Sequence, residues 1–194
     1  MTQHLYCRLY VLLLSVSLAF TTSGCWWMRQ EARTPERPVS KLAARGISTL
    51  GVVTFGDATH QAVGKHVSEV FRQTMVSAVG KEWVRHQDLI EPPGGPRPIG
   101  FIGISQAQQL GRLNGVDGLL SGQVLAYQYQ RPQGRVWVSV SLRLLEATRG
   151  TIIWSRSATG TFPARTPAEK DDGFNAATHL AAKEFVHDLL GSQP

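Results

Sequence analysis

A chain of 194 residues, 42% hydrophobic and 18% charged, is long enough to bury one substantial core and too polar to be a bundle of membrane helices. Its formal charge is +6 at pH 7, but the Lys and Arg residues do not cluster within the stretch that reads as folded, which excludes a nucleic-acid-binding stripe. The two Cys, Cys7 and Cys25, exclude a disulfide framework and a thiolate zinc site.

At the amino terminus, Arg8 precedes an apolar run from Leu9 to Phe20, then small residues from Thr21 to Gly24, then Cys25. That order is a signal peptide over residues 1–24. The run is shorter than the roughly 20 apolar residues of a bilayer span. Thr22-Ser23-Gly24-Cys25 resembles the lipobox of bacterial lipoproteins, with Thr22 where that motif usually carries Leu. The resemblance implies that Cys25 is acylated, becomes the new amino terminus and anchors the chain to a membrane. Cleavage there removes Arg8, Cys7 and no acidic residue, leaving a charge of +5. Arg29, Arg33, Arg37, Lys41 and Arg45 fall within residues 25–46, where Pro35 and Pro38 argue against a helix. The segment reads as a flexible basic tether, either near anionic headgroups or simply solvated. Trp26 and Trp27 suit the membrane interface.

The folded domain is expected over residues 47–191. Ile47 to Phe55 is a short β-branched run of the kind that forms a buried strand. Val63, Val67, Val70, Phe71, Met75 and Ala78 then share one face of a helix over 61–79, stopped by Gly80. A second strand is expected at Glu82 to Arg85, parallel to the first. Glu91 to Pro98 holds four prolines and two glycines and must be a loop. Ser105 is expected to cap a helix with Gln108, burying Ala107, Leu110 and Leu113 before Asn114-Gly115 closes it.

Beyond Gly115 the pattern becomes alternating. Strands are expected at Gly118 to Gln130, Arg135 to Ala147 and Thr151 to Thr159, joined by tight turns into an antiparallel meander. Val136, Val138, Val140, Leu142 and Leu144 share the core face of the middle strand, with Ser139, Ser141 and Arg143 opposite. A final helix from Phe174 to Leu190 carries Phe174, Ala177, Ala181, Phe185 and Leu189 on one stripe. The order β-α-β-α-β-β-β-α predicts a single α/β domain, a mixed sheet with helices packed on it.

Chemistry is sparse in this pattern. Asp57 with His60, His66 with Glu69, His86 with Asp88, and Asp171 with Asp172 are the acid and histidine pairs, and a structural role is expected for each. No nucleophile elbow, phosphate loop or H-E-x-x-H motif occurs. No catalytic residue, cofactor or metal is therefore expected. Tyr127 and Tyr129, alternating with Gln128 and Gln130, form a candidate partner-binding patch, with cross-strand packing as the alternative.

The stretch from Ile104 to Gly160 carries Gly111-Arg-Leu113, Gly115-Val-Asp-Gly118-Leu-Leu-Ser-Gly122-Gln-Val124, Thr148-Arg-Gly150 and Ile152-Ile-Trp154-Ser155. It resembles the domain shared by the curli secretion lipoprotein CsgG, the penicillin-binding protein activator LpoB and the amino-terminal part of TolB. Gly51-Val-Val-Thr-Phe55 stands where that group has its first strand. The resemblance implies a lipoprotein of the outer membrane, its domain facing the periplasm. It also implies a non-enzymatic accessory or assembly role through envelope protein partners, in peptidoglycan synthesis or secretion, with homo-oligomers among the forms. Trp26, in place of an Asp retention signal, fits outer-membrane sorting. Two further readings are a subunit of a CsgG-like secretion oligomer and a periplasmic hydrolase using one of the pairs above.

Two features depart from the group. Gln128, Gln130, Arg131 and Arg135 leave the hairpin at Tyr127 to Val138 too little apolar length for a membrane barrel. The tether, about 20 residues, reaches only about 70 Å when extended.

Overall fold

A computed structural model describes residues 40–84, 88–94 and 101–191. Its elements are a one-turn helix α1 (Ser40–Ala43), strands β1 (Leu50–Val52) and β2 (Gly56–Asp57), helices α2 (Gly64–Val79) and α3 (Ile104–Asn114), strands β3 (Gly118–Gln130), β4 (Arg135–Glu146) and β5 (Thr151–Pro163), and helix α4 (Lys170–Leu190). The five strands form one mixed sheet in the order β1-β3-β4-β5, with β2 also on β3. It is an α/β fold, and the meander of β3, β4 and β5 is antiparallel as the alternating pattern requires.

The first expected strand is divided. β1 and β2 both run parallel to β3, with Val52 opposite Leu120 and Gly56 opposite Gln123. Four steps on one side therefore match three on the other, and the extra residue is bulged out of the ladder. Phe55, in that bulge, lies over Gly122, where a Cβ would come within 2.9 Å of its ring. This is the close approach that a glycine in a strand permits.

The second expected strand, Glu82 to Arg85, does not form among the described residues. The N–H groups of Trp83 and Val84 turn back onto the Gly80 carbonyl, leaving one parallel bridge between Val84 and Leu50. Packing also starts ahead of Ile47, because Leu42 is buried in the main core. Helix α3 begins at Ile104 after Gly103, whose N–H donates to the Gln106 carboxamide at 3.2 Å, so Ser105 is not its cap. Ala107, Leu110 and Gly111 face inward while Leu113 is 72% exposed. Gly111 takes the inner position because its backbone rides close to Ala147.

The main core lies between the sheet and helices α2 and α4. Val136, Val138, Val140, Leu142 and Leu144 of β4 are fully buried there. An aromatic chain crosses this layer, with Phe55 and Phe71 centroids 5.5 Å apart, Phe71 and Phe185 5.8 Å, and Phe185 and Trp154 5.2 Å. A smaller cluster on the opposite face joins α3 to Leu119, Leu145 and Ala147. Helix α3 covers one end of that face, and the rest presents Trp137, Ser139 and Ser141 of β4 beside Ser155, Ser157, Thr159 and Thr161 of β5.

Candidate partner-binding surface

The two singled-out tyrosines sit on the helix side of β3. Tyr127 pairs with Val138 and Tyr129 with Val136, so both share the core-facing side of the hairpin. Tyr127 lies flat on Phe174 of α4, with centroids 4.0 Å apart and planes 7° apart. Burial pushes the Tyr127 phenol above its ordinary 10.0, and the Asp171 charge adds to the effect. Both side chains are half-buried against the core. Their exposed edges are what remains for a partner.

Beside them lies a constrained loop. Residues His60 and Ala62 adopt left-handed backbone, with φ of 59° and 57°, a conformation that costs a non-glycine residue about 1 kcal/mol or more. Asp57 holds the loop in place by accepting hydrogen bonds from the Thr59 N–H and hydroxyl and from the Val63 N–H at the start of α2. Burial pushes the Asp57 carboxyl up, but hydrogen bonds from Thr59, Val63 and Gln61 outweigh it and leave it below 3.8. The Gln61 amide reaches across to the Tyr127 carbonyl at 3.1 Å.

The other acid residues of the candidate pairs are held separately. Glu69 is taken by Arg72 and Gln73 on its own helix, and the Arg72 hydrogen bond holds its carboxyl below the ordinary value. Asp171 and Asp172 occupy the first turn of α4, where the helix dipole favours them. His86 and Cys25 lie outside the described residues. Among the described residues no three His, Cys, Asp or Glu side chains gather as a metal site, and no helix is long and apolar enough to cross a membrane.

A feature not anticipated from the sequence lies at the opposite side of the sheet. β5 is its edge strand. Arg45 Nη1 donates to the Ile153 carbonyl at 2.7 Å, and the Thr159 N–H donates to Glu184 of α4 at 3.1 Å. Beside Arg45 opens a cavity of about 260 Å³, walled by Leu42, Ile153, Trp154 and Leu189, with Asp188 at its rim. Asp188 is paired with Arg156 at 2.7 Å. Arg45 has no acidic partner among the described residues. The sequence placed Arg45 in a tether; the only available signal was that the last strand of a meander must be an edge.

No family model matches the chain, and no curated protein matches it. Solved structures do. A PelC variant from Paraburkholderia phytofirmans, a dodecamer, superposes with a TM-score of 0.52 at 20% identity, covering 74% of this chain and 88% of its own. Lipoprotein GNA1162 from Neisseria meningitidis gives 0.49 at 17% identity, covering 75% and 99%. The LpoB C-terminal domain from Escherichia coli gives 0.39 at 19% identity, covering 62% and 90%. Bacterial lipoproteins are thus among the structural neighbours. At such identities the PelC likeness is one of fold.

Proposed function

We propose that the chain is an exported lipoprotein, acylated on Cys25 and held at the outer membrane. Its periplasmic domain serves, without catalysis, as an accessory or assembly factor for a cell-envelope machine. The observation that carries this reading is the apolar run and small residues over 1–24 followed at once by Cys25, the sole cysteine outside that segment, ahead of a packed domain. From Cys25 to α1 is about 15 residues, or about 50 Å when extended, so the domain works close to the membrane surface. Basic residues in that stretch add attraction to anionic headgroups. Of the acidic groups in the candidate pairs, Asp57 is bound to its own loop and Glu69 to Arg72.

The test is labelling with a palmitate analogue in the native host, followed by crosslinking and capture. Label is expected on the wild type and absent from Cys25→Ala, with envelope proteins crosslinked to the labelled form. An unlabelled wild type overturns the anchor.

A second reading, a subunit of a CsgG-like secretion oligomer, draws on one observation: the PelC structure sharing this fold is a dodecamer. Sedimentation of the mature chain separates the two, since a ring sediments as a single large species and an adaptor as a monomer.

A further inference from the structure

The edge of β5 is half closed in a specific way. Two side chains from outside the sheet occupy backbone groups that point away from β4, Arg45 on the Ile153 carbonyl and Glu184 on the Thr159 N–H. Strands alternate the direction of their backbone groups with period two. Ser155 and Ser157 therefore point their N–H and C=O outward as Thr159 does, each opposite a residue of β4 to which it turns its back. Among the described residues no group outside β4 bonds to them. Long free edges are usually blunted, and here the blunting stops on either side of a window of four hydrogen-bonding groups. At one end of that window sits the cavity lined by Trp154, Ile153, Leu42 and Leu189 together with Arg45 and Asp188.

From this juxtaposition we infer that the β5 edge at Ser155 to Ser157 accepts an extended peptide segment of a partner protein, with a bulky apolar residue seated against Trp154 and an adjacent carboxylate on Arg45. Main-chain bonds to the edge supply affinity, while the cavity and the charge supply selection, as in strand-addition recognition generally. Charge decides the second element. Asp188 is already matched by Arg156, so the unmatched group at the mouth is the Arg45 cation, whose Nη1 alone is bound to Ile153. The inference rests on the accessory-factor reading and names the chemistry of the partner.

The test uses the full mature chain and an acetylated, amidated pentapeptide Asp-Leu-Thr-Val-Thr, followed by amide chemical shifts and hydrogen exchange. Saturable shifts and slowed exchange are expected at Ser155 and Ser157. Replacing the peptide Asp by Lys weakens binding about tenfold, and Arg45→Gln abolishes that difference while keeping a donor for Ile153. Ser157→Pro removes an outward N–H without touching the β4 ladder, so it abolishes the shifts in a protein that still gives a folded spectrum. No saturable shift, shifts confined to other surfaces, or equal binding by the Ser157→Pro protein overturns the inference. Failure here is separable from failure of the anchor. If Ser157→Pro protein takes palmitate label on Cys25 and keeps the wild-type envelope crosslinks, the partner docks elsewhere and the anchored-adaptor reading stands.

Discussion

Gly160→Ala tests how α4 lies on the sheet. In an isolated strand this change stabilises by about 0.5–1 kcal/mol, because alanine loses less backbone entropy on folding. Here the added Cβ would run into the Ala177 carbonyl oxygen and stand 2.7 Å from its carbon and 3.0 Å from the Ala181 N, against ordinary contact beyond 3.4 Å. All three blocking atoms are helix backbone, so no rotamer change relieves them. Helix α4 must retreat by more than about 1 Å, a gap that forfeits at least about half of each contact it opens, beneath Ala177, Ala181 and Phe185. Overpacking of this kind costs about 1–3 kcal/mol, and rigid obstacles place the net near the upper end. At about 2–4 °C per kcal/mol for a domain of this size, the melting temperature should fall by about 6–10 °C. Thermal unfolding followed by circular dichroism measures it and urea unfolding gives the free energy and m-value, with Gly103→Ala as the control, since nothing lies within 4 Å of that Cβ. A Gly160→Ala protein as stable as wild type, or more so, at unchanged m-value refutes the placement of α4 against β5.

Asp117 clasps the segment before β1, its Oδ2 accepting from Ser48 N at 3.1 Å, Thr49 N at 3.2 Å, the Thr49 hydroxyl at 3.0 Å and the Ser48 hydroxyl. Asp117→Asn should cost about 1–2 kcal/mol, read by urea unfolding at pH 7. The Ser48 hydroxyl bond, with its other donors, holds the Asp117 carboxyl below 3.8 despite burial. A lowered folded-state pKa gives stability present above 3.8 and lost as pH falls through the folded value, so the difference between wild type and Asp117→Asn should shrink in acid below that point. Tyr127→Phe should leave stability within about 0.5 kcal/mol, whereas Tyr127→Ala should cost about 2 kcal/mol by removing the ring stacked on Phe174. Leu110→Ala should cost about 2–4 kcal/mol and Leu113→Gln less than about 0.5 kcal/mol, and a comparable cost at both positions would restore the burial of both first expected from the sequence.

Legibility varied with how local the determining forces were. The β3 and β4 boundaries, the turn at Gly134 and the α4 stripe were readable because alternation and helical spacing record burial on one face residue by residue. The interrupted first strand was not. Its run is apolar throughout, and the bulge that separates Val52 from Gly56 exists because Phe55 must settle over Gly122, almost 70 residues away. In α3, Ala107 and Leu110 are buried as expected and only Leu113 was misplaced, since it is apolar but the inner place went to Gly111, chosen for closeness to Ala147 and not for hydrophobicity. The tyrosines were legible as neighbours on one face, yet their contact with Phe174 needed α4 in position.

The sequence by itself determined the α/β class and the meander with its buried face, because composition and period act within a few residues of one another. Tertiary structure alone decided which strand would be the edge and which side chains would close it. Arg45 and Glu184 stand about 140 residues apart in the chain and meet only along β5, where the unpaired backbone of a finished sheet provides bonds that no local pattern encodes.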